Sequence, residues 1–150
     1  MIDYRFNDNK NKGQFMLSKF KAVTAAMLFL ACTTLVLQPA SAASINWVPY
    51  GPAAFKQAKA SGKKLYVFGM LDSCHWCHKM QTTTFRDQAL VTLINKKYVP
   101  VKLHVDVDTN TADQYQIMGV PTILILNSNG GVVRTLAGYK TADEMISALE

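Results

Sequence analysis

Two cysteines are the residues of this sequence best suited to chemistry. Cys74 and Cys77 lie three positions apart in the run Cys74-His75-Trp76-Cys77-His78. Cysteines this close cannot link distant loops, so a role as a structural disulfide is weak. A thiolate at a helix start can instead attack a disulfide sulfur and pass through a mixed disulfide. The spacing therefore predicts thiol–disulfide chemistry.

The local context assigns different roles to the two sulfurs. The pair follows a near-continuous apolar run of strand length, residues 64–70, and opens a helical segment with Ser73 placed to cap it. Unpaired backbone N–H groups and the positive end of the helix dipole stabilise a thiolate in the first turn. His75 and His78 add positive charge when protonated. We expect Cys74 to attack, and the more buried Cys77, one turn later, to resolve the mixed disulfide.

The same residues admit two other interpretations. Cys74, Cys77 and His78 match Cys-x-x-Cys-His, the attachment motif of c-type haem, although here the motif follows a buried strand instead of opening an all-helical chain. Zinc binding is weaker still, because closed zinc sites usually draw on two separated ligand pairs. We expect no metal and no cofactor beyond the Cys74–Cys77 disulfide, with haem attachment as the alternative.

Composition and charge narrow the class of protein. The 150 residues are 49% hydrophobic and 17% charged, which fits one ordinary globular domain. The net charge of +6 falls to +3 over residues 43–150, where 11 Lys and Arg stand against 8 Asp and Glu. No basic stripe remains, so we expect no nucleic-acid partner.

Residues 1–42 are typical of a secretory signal peptide. Lysines at 19 and 21 precede an apolar run, residues 22–37, and Ala40-Ser41-Ala42 is a small-x-small cleavage site. We expect cleavage after Ala42 and a periplasmic or otherwise exported protein. An uncleaved anchor is the alternative, but the 16-residue run is shorter than the roughly 20 residues that span a bilayer.

Two further features of the leader bear on this expectation. The residues before Met16 are polar and indicate an over-extended start, so Met16 is an alternative start of translation. Cys32 lies inside the apolar run and is expected to be removed with the leader, which leaves Cys74 and Cys77 as the cysteines of the mature chain.

The remaining chain, residues 43–150, predicts alternating helices and strands around one sheet. Individual residues indicate where several helices begin or end: Gly62 ends the first helix, Asp87 caps the start of another, and Thr141 and Glu144 form a capping box. Residues 127–131 form a turn that joins two strands into a hairpin. After an extended lead-in at 43–50, the predicted elements are helix 51–61, strand 64–70, helix 74–83, helix 88–97, strand 98–105, helix 108–116, strands 122–126 and 132–136, and helix 141–149.

This arrangement resembles thioredoxin. The likeness rests on a strand, Cys-His-Trp-Cys at a helix start, and Gly119-Val120-Pro121-Thr122 before a hairpin and a final helix, and it covers residues 47–150. It is closest to exported thioredoxin-like proteins with Cys-x-Trp-Cys-(His/Lys)-Lys-Met and Thr-Phe-x-Asp, here residues 84–87. The resemblance implies an α/β, thioredoxin-like fold, with a central mixed sheet and helices on both faces.

The resemblance also implies roles for individual residues. Pro121 should be cis and lie beside the sulfurs, leaving the Val120 backbone free to pair with an extended substrate. We expect Trp76 to be a recognition surface, because an exposed Trp is a strong anchor, and we expect His75 to take part in catalysis.

The sequence departs from the ordinary thioredoxin pattern near the cysteines. Ser73 stands where the family often has Trp, and Phe68 where ordinary thioredoxins carry a buried acid that aids proton transfer. Asp72 is the nearest carboxylate, and we expect it to be solvated as a loop residue. His104 is interpreted as a strand residue without a chemical role, whereas the role of His78 stays open.

The function implied is that of an exported thiol–disulfide oxidoreductase. It would reduce or exchange disulfides of periplasmic proteins through Cys74 and Cys77, as a monomer. Its partners would be protein thiols and disulfides and an upstream redox protein, for which a membrane protein is one option. His75 favours an oxidising dithiol, whereas the resemblance favours a reductase, which we prefer.

Overall fold

The computed structural model describes residues 43–150. The predicted leader, with Met16, Cys32 and the small-x-small site at 40–42, lies outside the described residues, so the signal peptide stays a prediction. The elements, in chain order, are β1 (Val48–Pro49), α1 (Pro52–Ser61), β2 (Lys64–Met70), α2 (His75–Thr82), a 3-10 turn (Thr84–Arg86), α3 (Gln88–Lys97), β3 (Tyr98–His104), α4 (Thr109–Gln114), β4 (Thr122–Leu126), β5 (Val132–Ala137) and α5 (Ala142–Leu149).

The strands form one mixed sheet in the order β1-β3-β2-β4-β5. β1, β3 and β2 run parallel, whereas β4 is antiparallel to both β2 and β5. The mixed sheet and the β4–β5 hairpin predicted from the sequence are confirmed. The lead-in contributes one element that the sequence did not indicate, because Val48 pairs with Val101 and makes the short β1 an edge strand.

The core has two layers because side chains alternate along the strands. On β2, Tyr66 and Phe68 belong to a cluster with buried residues of α2, α3 and α5. Leu65 and Val67 belong to a second cluster on the other face, with Ala54 of α1 and neighbouring residues. Helices therefore cover both faces of the sheet, as expected, and β2 is buried on both sides.

The predicted helix ends are largely observed. Gly62 follows α1 with φ 65°, in the left-handed region that favours glycine. The Asp87 carboxylate accepts a hydrogen bond from the Leu90 N–H at 2.9 Å at the start of α3. Helix α4 is shorter than predicted and ends at Gln114, because Gln116 adopts a φ of 52° that cannot continue a right-handed helix.

Within residues 43–150, none of the helices combines the length and apolar character needed to cross a membrane.

Candidate functional site

Cys74 is the N-cap residue of α2. Strand β2 ends at Met70, and the Cys74 N–H donates to the carbonyl of Leu71 at 3.2 Å. The Cys74 backbone is extended, with φ −81° and ψ 108°, and its Sγ accepts a hydrogen bond from the Cys77 N–H at 3.1 Å. The prediction that Ser73 caps this helix is wrong, because the residue with N-cap backbone geometry is Cys74 and its sulfur takes the place of the capping oxygen.

The two sulfurs are bonded to each other but differ in exposure. Cys74 and Cys77 form a disulfide with a Cα–Cα distance of 5.2 Å. Cys74 is partly exposed, whereas Cys77 is 0% exposed and belongs to the main core cluster. A large disulfide-bonded partner can therefore approach Cys74 but not Cys77. The greater burial of Cys77 that the sequence predicts is confirmed, and the attacking and resolving roles stay a prediction.

The core cluster that contains Cys77 is rich in aromatic residues. Phe68 is fully buried, with its ring 5.1 Å from that of Phe85 and 5.8 Å from that of Trp47. Apart from tyrosine and cysteine, threonines are the only buried residues with polar side chains among those that the structure describes, so no carboxylate is buried there. Asp72, the nearest carboxylate in the sequence, has a side chain that is 82% exposed, in agreement with a solvated loop residue.

The loop before β4 lies at the same end of the sheet as the cysteines. Gly69, near the end of β2, pairs with Thr122 at the start of β4, and both Cys74 and Val120 pack against the main core cluster. The Val120–Pro121 peptide bond is cis. The Thr122 hydroxyl donates to the Gly119 carbonyl at 2.6 Å, which stabilises the turn that carries the proline.

Pro121 and Val120 differ in burial and in whether their backbone groups are already hydrogen-bonded. Pro121 is buried and its carbonyl accepts a hydrogen bond from the Gly138 N–H at 2.8 Å. Val120 is half-buried, and the hydrogen bonds that the structure describes for this loop do not use its backbone. The pairing of the Val120 backbone with a substrate segment, which the resemblance implies, stays a prediction.

Trp76 and His75 lie on the exposed side of the first turn of α2. Trp76 is 50% exposed, and the His75 ring lies 5.6 Å from it in an edge-to-face arrangement. On its other side, the indole ring lies 5.4 Å from the ring of Tyr139. The Lys79 ammonium lies 4.9 Å from the centroid of each of these two rings.

Lys79 and Tyr139 are neighbours of the site that the sequence analysis did not identify. Lys79 follows Trp76 by three positions and so shares its face of the helix, a signal that was available. Tyr139 comes from the segment between β5 and α5, and no local pattern predicts that contact. Hydrogen bonds with Thr83, then with Thr84, lower the pKa of the Tyr139 hydroxyl, and the nearby Lys79 charge acts in the same direction.

Histidines brace the loop that precedes Cys74. The His78 Nε2 lies 2.5 Å from the backbone carbonyl oxygen of Asp72. The Asp72 carboxylate lies 3.7 Å from Nδ1 of His104, at the end of β3. His104 is a strand residue, as expected, but it also pairs with this loop, which the sequence did not indicate.

A metal site is not evident around the cysteines. Across residues 43–150 the structure contains no group of three or more His, Cys, Asp or Glu side chains arranged to hold a metal ion.

Comparison with known proteins gives matches to one family and to thioredoxin-fold structures. The family model Thioredox_DsbH, described as "Protein of unknown function, DUF255", matches residues 28–131. A thioredoxin from Thermus thermophilus has a TM-score of 0.64 and 28% identity, and the match covers 71% of this chain and 85% of that one. A putative disulphide-isomerase from Bacteroides thetaiotaomicron has a TM-score of 0.66 and 26% identity, over 73% of this chain and 93% of that one.

The curated relatives are much longer proteins. An uncharacterized protein of Caenorhabditis elegans is 34% identical over 59 residues, which is 39% of this chain and 8% of that protein. The chain thus spans less than a tenth of the matched relative's length.

Proposed function

Because the chain belongs to the Thioredox_DsbH family and is a thioredoxin-like thiol–disulfide oxidoreductase, we propose that it reduces or exchanges disulfides of periplasmic proteins after export. The observation that carries this proposal is the asymmetry of the sulfur pair. Cys74 is a partly exposed N-cap, whereas Cys77 is buried one turn further along α2.

In the reducing direction, the reaction takes place in two exchanges. The Cys74 thiolate attacks one sulfur of the substrate disulfide, which breaks the S–S bond and releases one substrate thiolate. Cys77 then loses its proton and attacks Cys74 in the mixed disulfide, which releases the second substrate thiolate and forms the Cys74–Cys77 disulfide. The released thiolates take up protons from solvent, so the substrate gains two electrons and two protons.

Neighbouring residues are proposed to assist these exchanges. The Cys77 N–H, which donates to the Cys74 sulfur, stabilises the attacking thiolate, and a protonated His75 adds positive charge nearby. The half-exposed Trp76 offers an apolar anchor for the substrate. The backbone of Val120 pairs with an extended substrate segment, because the loop that carries it lies at the sulfurs' end of the sheet.

The resolving step is expected to differ from that of ordinary thioredoxins, which carry a buried acid at the sequence position that Phe68 occupies here. Phe68 is fully buried, and no carboxylate of residues 43–150 is buried. We infer that the proton of Cys77 leaves to water or hydroxide from solvent, not to a buried acid. Resolution is then expected to accelerate as pH rises.

The partners follow from this chemistry. The substrate is a protein disulfide, and the oxidised Cys74–Cys77 pair must be reduced again by a second dithiol protein. We propose an exported redox protein as that donor, with a membrane-bound dithiol protein as one option.

Trapping tests the roles of the two cysteines. In the Cys77→Ser variant, a mixed disulfide should accumulate at Cys74 because no second thiol can release it. The matched Cys74→Ser variant retains a buried thiol and should trap little. Peptide mapping of the complexes formed with a model protein disulfide gives the linked residue. Preferential trapping through Cys77 would contradict the assignment.

Export is tested separately. N-terminal sequencing of protein recovered from the exported fraction should begin at Ala43. Recovery of the intact leader in the membrane fraction would indicate an anchor instead.

Two measurements distinguish the remaining alternatives. Equilibration in a glutathione series gives the reduction potential. A value between that of thioredoxin, about −270 mV, and about −200 mV would support a dithiol that still reduces disulfides, whereas a value near about −120 mV would indicate an oxidant. The visible spectrum tests haem attachment through Cys74, Cys77 and His78, because a covalently bound haem absorbs strongly in the visible range.

A further inference from the structure

The ammonium of Lys79 lies over two aromatic rings near the start of α2. Lys79 lies on the same face of α2 as Trp76, and its ammonium is 4.9 Å from the ring centroids of both Trp76 and Tyr139. Two cation–π contacts at this distance favour one placement of an otherwise flexible side chain. The charge is therefore fixed next to the half-exposed indole that follows Cys74 by two positions.

The ring of Tyr139 is itself anchored. Tyr139 is partly buried and packs against the main core cluster. Its ring lies 5.4 Å from that of Trp76. The three side chains form one unit, which we call the Trp76–Lys79–Tyr139 clamp.

The charge of the clamp lacks an acidic partner within the part of the chain that the structure describes. The carboxylate contact found there is that of Asp72 with Nδ1 of His104 at 3.7 Å, which is an ion pair only when His104 is protonated. Glu144 is the acidic residue near Tyr139, but its carboxylate accepts hydrogen bonds from the Thr141 N–H and hydroxyl at 2.8 and 3.0 Å. The Lys79 ammonium is thus free to meet a carboxylate from outside.

We propose that the Trp76–Lys79–Tyr139 clamp selects protein substrates with an acidic side chain near the cysteine that Cys74 attacks. The inference rests on the proposed function, because it concerns the same attack. A substrate segment that passes over Trp76 brings its side chains within reach of the Lys79 ammonium. The pair would be solvent-exposed on one side, so the preference for acidic over neutral substrates should be modest, about two- to fivefold.

The test uses three peptides that differ in one side chain. Each carries a single cysteine, linked through a disulfide to 2-mercaptoethanol, and has Glu, Gln or Lys two positions from that cysteine. The reduced protein is mixed with each peptide at about 0.01 M ionic strength, where charges interact over about 30 Å. The rate constants should fall in the order Glu, Gln, Lys, and the differences should shrink at about 1 M salt.

Variants of the protein show which residue causes the preference for the Glu peptide. For each variant, rate constants are expressed relative to that of the Gln peptide. Lys79→Gln should bring the Glu:Gln rate ratio close to unity, and Lys79→Glu should reverse the order of the peptides. Lys97→Gln removes the same charge from the exposed end of α3 and should keep the wild-type ratio.

The outcomes are distinguishable. An unchanged ratio in Lys79→Gln, or an equal loss in Lys97→Gln, would overturn the role of the clamp while leaving the oxidoreductase function intact. Absence of exchange with all three peptides would overturn the proposed function and this inference together.

Discussion

The Tyr66 hydroxyl is a buried polar group without a hydrogen-bond partner among residues 43–150. Tyr66 is 0% exposed and lies on β2 in the main core cluster, with its ring 6.0 Å from that of Tyr98. Burial also raises the pKa of its hydroxyl well above the ordinary value. We therefore expect Tyr66→Phe to stabilise the protein, because the substitution removes the unpaired group and retains the ring.

The size of the effect follows from two opposing contributions. An unsatisfied buried hydroxyl costs about 1–3 kcal/mol. The void left by one oxygen atom reduces the gain in the free energy of unfolding by up to about 1 kcal/mol, the cost of a methyl-sized cavity. The net gain in the free energy of unfolding should be about 1 kcal/mol, which corresponds to a rise in Tm of roughly 5 °C for a domain of this size.

Thermal and urea unfolding of the oxidised protein measure this change, and Tyr98→Phe is the matched control. The Tyr98 hydroxyl is also in the core but donates to the Leu149 carbonyl at 3.4 Å. Its removal should lower the free energy of unfolding by about 0.5–1.5 kcal/mol. A loss of stability in Tyr66→Phe similar to that in Tyr98→Phe would refute the reasoning, because it would mean that the Tyr66 hydroxyl is hydrogen-bonded in solution.

Two further predictions concern ionisation. In Cys77→Ser, the ultraviolet absorbance of the Cys74 thiolate should appear at lower pH than that of a free cysteine. The additional substitution His75→Ala should raise the midpoint of this pH titration. A midpoint equal to that of free cysteine would remove the argument for an activated nucleophile. The pKa of Glu144 is lowered by hydrogen bonds from the Thr141 N–H and then from its hydroxyl, so this carboxylate stabilises the fold above its unfolded pKa and the contribution is lost as pH falls through its folded pKa. Glu144→Gln should accordingly lose less stability than the wild type between neutral and acidic pH, as measured by thermal unfolding.

The fold was predictable where the signal is local. The apolar run of β2 indicates a strand buried on both faces, and both core clusters contain its residues. Gly62, Asp87 and Thr141 mark helix ends through their own chemistry, and the structure has each in that role. Strand β1 escaped prediction because its two residues are too few to show a period.

The site was predictable only in part, because some of its features depend on tertiary packing and not on local sequence. Cys74 and Cys77 follow from spacing and context, but Ser73 and Cys74 are adjacent candidates for the cap. Backbone torsion angles, which depend on the packing of the whole loop, decide in favour of Cys74. The contact of Tyr139 with Lys79 joins segments far apart in the chain, so it arises from the tertiary fold and not from a local pattern.

The direction of electron flow depends on how well the surroundings stabilise the reduced forms of Cys74 and Cys77. The Cys77 N–H that donates to the Cys74 sulfur stabilises a thiolate more than a disulfide sulfur, because the hydrogen bond to a charged acceptor is the stronger. Cys77, in its aromatic surroundings, stays a neutral thiol at little cost. Both effects favour the reduced form, and a stabilised Cys74 thiolate is also a good leaving group. We therefore expect a dithiol that is more oxidising than thioredoxin and that reduces strained or exposed disulfides, whose potentials are high, while leaving the structural disulfides of exported proteins intact.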